Sequence, residues 1–346
     1  MSTNGDSSKR LILGIDLGTS LTAVMSNRGK RALVGSVVGY PKDVIATKLL
    51  NSILVIGDEA LSKRSYLNLY FPLEDGVLKE ASVTHTIAAK ELLERAIAEI
   101  DPQPGDQIYG IIGVPARASV SNKSQLLKLA GEMMDKVMVV SEPFMAAYGL
   151  ERLTNAIIID IGAGTVDFCA MKGTVPGSED QITLLKAGNF IDELLAANIS
   201  EAYPDVQITK QLAKKIKEQY GYVGEVRDDV IVTLRADGRP HNYDLGLEVR
   251  DACAAILPDI FESLEQLIQV FDPEYQEEAL QNVILAGGGS HIIGLREAVA
   301  EFLQDYGEAN VVRVTDPVYS GAAGALKLAC ELPPEYWHEV GDVFGD

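Results

Sequence analysis

The chain alternates between two hydrophobic rhythms: short β-branched runs with apolar residues adjacent or every second position, and longer stretches with apolar residues three and four apart. The short runs predict strands at 32–39, 53–56, 108–114, 137–140, 181–187 and 283–286, and strand–turn–strand units at 11–24 and 156–168. Helical spacing marks the stretch carrying Ile87, Leu92, Leu93, Ala96, Ile97 and Ile100, then 122–134 behind a Ser121 cap. It marks 143–149 too, where Pro143 suits the first turn and Gly149 loosens the end. Further helices are expected at 190–202, 209–220, 295–303 and 321–329, and over 247–270 with a break at Pro258. A hairpin is expected about Asp237-Gly238. Strands separated by helices of this length predict the α/β class, with parallel members in the sheets.

Two of these units repeat one another. Residues 11–24 and 156–168 are each an apolar strand that ends on an aspartate, turns through glycine and small residues, and leaves as a second strand; Asp16 aligns with Asp160 and Gly18 with Gly162. One such hairpin alone would be read as an ordinary tight turn, since Asp and Gly are common turn residues. Two imply a duplicated domain with its ligand between the halves. Glycine lets the turn backbone approach a ligand and aim N–H groups at phosphate oxygens, and a carboxylate holds a hydrated divalent cation. The expected ligand is therefore a nucleoside triphosphate with its metal.

Composition narrows the partners. With 47% hydrophobic and 23% charged residues in 346, the chain is long enough for two globular domains. A net charge of −20 argues against direct nucleic-acid binding and implies that an ATP ligand comes with a cation. Cys169, Cys253 and Cys330 are odd in number and widely spaced, which fits a reducing cytoplasm and no metal motif. The polar start, 1–10, is expected to be a flexible tail without a signal peptide, and no segment is apolar enough for membrane insertion.

Other signatures fail. Gly29-Lys30 is followed by Arg31, and Val24 stands where a P-loop needs glycine. Ile292 ends the dinucleotide-like run at Gly287, and Gly288-Gly289-Ser290-His291-Ile292 lacks the closing glycine of a nucleophile elbow. His85, His241, His291 and His338 are scattered. Glu142, between a buried-looking strand and a helix start, reads either as a helix-capping acid or as the group that orients a water on a γ-phosphate. Lys217 and Glu218 read by themselves as a solvated pair.

Five blocks, 14–24, 141–149, 157–168, 283–295 and 316–325, resemble in order and spacing the two phosphate loops, two hinge helices and adenosine loop of the actin, heat-shock chaperone and sugar-kinase superfamily. The likeness covers nearly the whole chain after Arg10. Segments 70–77 and 216–223 resemble actin, 57–60 and 273–275 the bacterial cell-shape actins, and 37–44, 113–119, 173–177 and 331–337 the actin-like filament proteins of magnetotactic bacteria. The resemblance implies duplicated actin-like (ribonuclease H-like) domains with the nucleotide in the cleft between them. It implies a first domain at 11–148 with a rim subdomain about 32–62, a second at 149–320 with an inserted subdomain about 188–256, and 321–346 returning to pack on the first.

It also implies roles. Asp16 and Asp160 match the acids that hold the Mg2+ water shell, and Gly18, Thr19, Ser20 with Gly162, Ala163, Gly164 and Thr165 match the phosphate turns. Glu142, with Asp160, matches the hydrolytic residues; Lys217 and Glu218 match adenosine contacts; Gly287, Gly288, Gly289 and Ser290 match the adenine-side loop. Gly149 and Gly324 match hinge positions. Ala23 replaces the phosphate-contacting lysine of conventional actin, and Ala187-Gly188-Asn189 departs from the Gly-Gly-Asp of many relatives. The activity implied is a filament-forming ATPase that binds ATP/ADP, turns over by hydrolysis, assembles with itself, and positions magnetosomes through adaptor proteins in the cytoplasm. Alternatives are a cell-shape or plasmid-segregation actin, a chaperone ATPase, disfavoured because little chain follows 321–329, and a small-molecule kinase, for which no acceptor site is legible.

Overall fold

A computed structural model describes residues 10–79 and 82–338. The expected tail at 1–10, apart from Arg10, and the last residues of the expected 321–346 segment lie outside the described residues. The chain divides into two compact units: Met1–Leu153 with Thr174–Ser178 and Asp316–Asp346, and Thr154–Gly173 with Glu179–Thr315.

The main sheet of the first unit is built from β1 (Arg10–Leu17), β2 (Leu21–Ser26), β3 (Arg31–Gly35), β4 (Gln107–Val114) and β5 (Lys136–Ser141), in the order β5-β4-β1-β2-β3. Strands β1, β2 and β3 pair antiparallel in succession, while β1 pairs with β4 and β4 with β5 in parallel. The second unit repeats that topology. Its strands β6 (Thr154–Ile161), β7 (Val166–Lys172), β8 (Gln181–Leu184), β9 (Val283–Ala286) and β10 (Val311–Arg313) stand in the order β8-β7-β6-β9-β10, again with an antiparallel trio and two parallel pairs. The repeated hairpin thus forms the same two strands of each sheet, and the β-branched runs are continuous because both faces of these strands are covered. Leu11, Leu13 and Ile15 in β1, and Ile157, Ile158 and Ile159 in β6, are fully buried.

Helices cover the sheets where their apolar faces allow. Val83–Ala98 packs Ala88, Leu92, Leu93 and Ala96 into the first core behind a Ser82 cap. The helix expected at 122–134 runs instead over Val120–Ala130. Ser119, not Ser121, caps it, because Asn122 reciprocates and two otherwise unpaired N–H groups are satisfied together. The strand expected at 181–187 stops at Leu184, since Gly188–Ala202 is already helical from its first residue. The stretch 247–270 divides into Gly246–Ala254 and Leu257–Ile268, with Pro258 in the first turn of the second. The hairpin Ile231–Ala236 with Arg239–Asp244 turns through Asp237 and Gly238, both at positive φ, as a type I′ turn requires. Residues 36–70 carry a small three-stranded sheet with Val38–Pro41 at its centre and a helix, Val44–Leu50, capped by Asp43. No helical stripe is legible in the sequence there, because Val44, Ile45 and Leu49 all face outward.

Within the first unit, the helix Ser320–Glu331 lies on β1 and against the helix Glu142–Gly149 that follows β5. The two helices touch backbone to backbone: a Cβ on Gly324 would stand 1.8 Å from the Met145 carbonyl oxygen. Neither backbone can give way without parting the helices, so Gly324→Ala is expected to cost about 1–3 kcal/mol or more through overpacking. A urea midpoint equal to wild type would show that this contact is not needed.

Candidate nucleotide-binding site

In the first unit, Asp16 sits at the C-terminal end of β1, level with Ala23 on β2 and Gly113 on β4. Chemistry in parallel sheets gathers at such strand ends. The Gly18–Ser20 turn is closed by Gly18 N donating to the Leu21 carbonyl at 3.1 Å. It is held from behind by Ser36, whose hydroxyl donates to the Gly18 carbonyl at 2.7 Å and whose N–H donates to the Ser20 carbonyl at 2.9 Å. Thr19 accepts from the Gly76 N–H at 2.8 Å, which ties the turn to the hairpin Leu73–Leu78. The Asp16 carboxylate lies against the start of Ser320–Glu331: a Cβ on Gly321 would be 2.4 Å from its Oδ2. Burial raises the Asp16 pKa to about 6, so a nearby cation is what would favour its charged form. Glu142 opens the helix after β5, and its Cγ is 3.2 Å from where a Gly113 Cβ would stand. Asp16 and Glu142 thus both flank Gly113.

The second unit repeats the arrangement with different neighbours. Asp160 is the last residue but one of β6, level with Asp167 on β7 and Ala286 on β9. Gly287, next after β9, has φ +72°, and a Cβ there would meet Asp160 Oδ1 at 2.3 Å and the Ile161 carbonyl at 2.5 Å. Only glycine accommodates both the backbone conformation and the approach. Gly162 N donates to the Thr165 carbonyl at 2.8 Å, closing the second turn. The start of Gly188–Ala202 reaches that turn, Gly188 N donating to the Gly162 carbonyl at 3.1 Å and Asn189 N to the Ala163 carbonyl at 2.7 Å. Ser290 is buried and donates to the Gly287 carbonyl at 2.7 Å, so it shapes its own loop, while Gly288 faces open space. Lys217 points inward, pairing with Asp192 at 2.7 Å and donating to the Gly188 carbonyl at 2.7 Å. Glu218 is exposed, 3.8 Å from Lys214.

The first unit therefore brings together Asp16, the Gly18–Ser20 turn and Glu142. The second brings together Asp160, the Gly162–Thr165 turn, the Gly287–Ser290 loop and Lys217. Sequence reasoning missed Ser36, Gly113, Asp192 and Gly321. Of these, Asp192 had a signal: it shares a helical face with the buried Leu195 and Ile199, where an acid needs a partner. Among the described residues no group of three or more His, Cys, Asp or Glu side chains could hold a metal ion. One carboxylate beside a turn fits a cation that completes its shell with water and phosphate oxygens.

A family model for the MreB/Mbl protein matches residues 10–333. The actin-like protein MamK of Paramagnetospirillum magneticum is 53% identical over 341 residues, 99% of this chain and 98% of that protein. A chain of a MamK double helical filament superposes with a TM-score of 0.91 at 53% identity, covering 94% of this chain and 100% of that one. A non-polymerising MamK mutant bound to AMPPNP superposes with a TM-score of 0.72 at 53% identity, covering 93% of this chain and 99% of that one. The repeated strand–aspartate–turn units, the shared topology of the two sheets and this likeness along the whole chain have one explanation: the protein belongs to the MreB/Mbl family of actin-like proteins.

Proposed function

We propose that this protein is an ATP-dependent polymerising bacterial actin that assembles with itself and hydrolyses ATP to drive filament turnover. The observation that carries the proposal is the TM-score of 0.91 at 53% identity to a chain solved in a double helical filament. Nucleotide binding is supported by the AMPPNP-bound relative and by the two aspartate-and-turn units.

In this reading the turns Gly18–Ser20 and Gly162–Thr165 offer backbone N–H groups to the phosphates of one nucleotide. Asp16 and Asp160 hold the water shell of magnesium, which neutralises triphosphate charge when bound. Glu142 orients the attacking water, and the Gly287–Ser290 loop with Glu218 serves the nucleoside. No lysine stands at position 23, so phosphate charge is met by the metal and backbone dipoles. The cellular task is positioning and segregating magnetosomes through adaptor proteins, supported by the MamK relatives. The location proposed is the cytoplasm; among the described residues no helix is long and apolar enough to cross a membrane.

The test is pelleting with magnesium and ATP, imaged by negative stain. Filaments that appear with ATP and disassemble after hydrolysis are expected; a protein that stays in the supernatant in every nucleotide state would overturn the proposal.

A further inference from the structure

We infer that Lys217 is a positioning residue, which fixes the second phosphate turn through Gly188 and Asp192. The inference rests on the reading of Gly162–Thr165 as a phosphate turn and says how that turn is held.

The Lys217 ammonium is 2.7 Å from Asp192 Oδ1 and 2.7 Å from the Gly188 carbonyl oxygen. The two side chains are 14% and 2% exposed, so most of the ammonium is already enclosed by protein. One of its N–H donors goes to the Gly188 carbonyl, and its charge faces the Asp192 carboxylate. The peptide groups it grips are the ones that grip the turn. A helix start leaves its first N–H groups without helical partners, and here those of Gly188 and Asn189 donate to the carbonyls of Gly162 and Ala163 at 3.1 and 2.7 Å. A Cβ on Gly188 would crowd both partners, standing 3.1 Å from the Gly162 carbonyl and 3.2 Å from the Lys217 ammonium.

The helix Lys210–Tyr220 holds the other loop as well. Just beyond its end, the Gly221 carbonyl accepts from Ile293 N at 3.1 Å and Val223 N donates to the Ile293 carbonyl at 2.8 Å, next to the Gly287–Ser290 loop. One helix thus ties both ligand-facing segments of the second unit, and Lys217 is its link to the phosphate side. The ion pair is what makes the link rigid. Burial raises the Asp192 pKa and Lys217 opposes the rise, so the charge of the acid depends on the lysine being there.

The experiment compares wild type, Asp192→Asn and Lys217→Met/Asp192→Asn by ATP hydrolysis, ADP affinity, the ATP-to-GTP turnover ratio and amide exchange at Gly188 and Asn189. The double variant removes both charges together, so no lone buried charge is left to unfold it. Its hydrolysis should fall about tenfold or more, since small misplacements near a reacting group carry large rate losses, while ADP affinity and base preference stay within about twofold of wild type. Exchange at both amides should quicken. Wild-type hydrolysis in the double variant would overturn the inference, as would a loss of ADP affinity equal to the loss of turnover, or an altered base preference. Should the double variant not fold, the near-isosteric Asp192→Asn decides: faster exchange with unchanged base preference is expected, and unchanged exchange overturns. Wild-type protein that hydrolyses no ATP would fail the phosphate-turn reading itself and take the inference with it.

Discussion

Asp160→Ala protein is expected to lose magnesium-dependent ATP binding at concentrations that saturate wild type, while keeping its fold. Asp160 is the last residue but one of β6, at the mouth of the second turn, with its Oδ1 packed against Gly287, so its carboxylate stands where the strand, the Gly162–Thr165 turn and the Gly287–Ser290 loop meet. A triphosphate brings several negative charges to a chain already at −20, and in the proposed reading the same-unit contacts that offset them are backbone N–H groups and the cation that the carboxylate retains. Losing one charge-assisted partner costs about 2–3 kcal/mol, or roughly 30- to 150-fold in affinity. Asp160→Asn should show most of the same loss, because the amide keeps the shape and removes the charge, which separates electrostatics from a cavity beside Gly287. Equilibrium binding of a fluorescent ATP analogue with and without magnesium, together with a melting curve, measures both. Tight binding and normal turnover in Asp160→Ala would remove Asp160 from the metal site.

How much of this was legible in the sequence depended on whether a residue's role is local. The two aspartate hairpins were readable because strand, acid and turn are contiguous and occur twice, and the strand at 283–286 and the helix at 295–303 carry their whole pattern within a few residues. The helix Val44–Leu50 was not, because its apolar side chains face outward and give no buried stripe. The pairs Leu73–Glu74 and Val77–Leu78 are too short to show any period. In the site, Gly321 matters only once Ser320–Glu331 lies on β1 and meets Asp16, and Gly113 only once β4 lies between β1 and β5. Lys217 shows the limit most clearly. Neighbouring sequence made it look like half of a solvated pair with Glu218, but its ammonium is turned to an acid on the preceding helix.

Glu142→Ala should separate binding from chemistry. Glu142 begins the helix after β5 and leans over Gly113, the residue that also neighbours Asp16 in register. It is therefore beside the strand end that leads into the Gly18–Ser20 turn without belonging to that turn, which in the proposed reading suits a group that handles water rather than phosphate. In the proposed reading the turns, not Glu142, hold the phosphates, so ATP affinity should be unchanged within experimental scatter. Hydrolysis should fall roughly 10²- to 10⁴-fold, the usual share of one acid–base group. In the proposed reading assembly follows ATP binding and not bond cleavage, so the variant should polymerise and its filaments should outlive wild type when free ATP is withdrawn. Glu142→Gln keeps the size and the helix start but not the charge, and should be as slow as alanine if the carboxylate acts on the water. The same position also suits a helix-capping acid, whose removal would cost stability on the order of 0.3–1 kcal/mol and leave chemistry intact. Phosphate release recorded with light scattering on one sample tells the two apart: long-lived filaments that release little phosphate are expected, and wild-type release from Glu142→Ala filaments would give the water to another residue and leave Glu142 the cap.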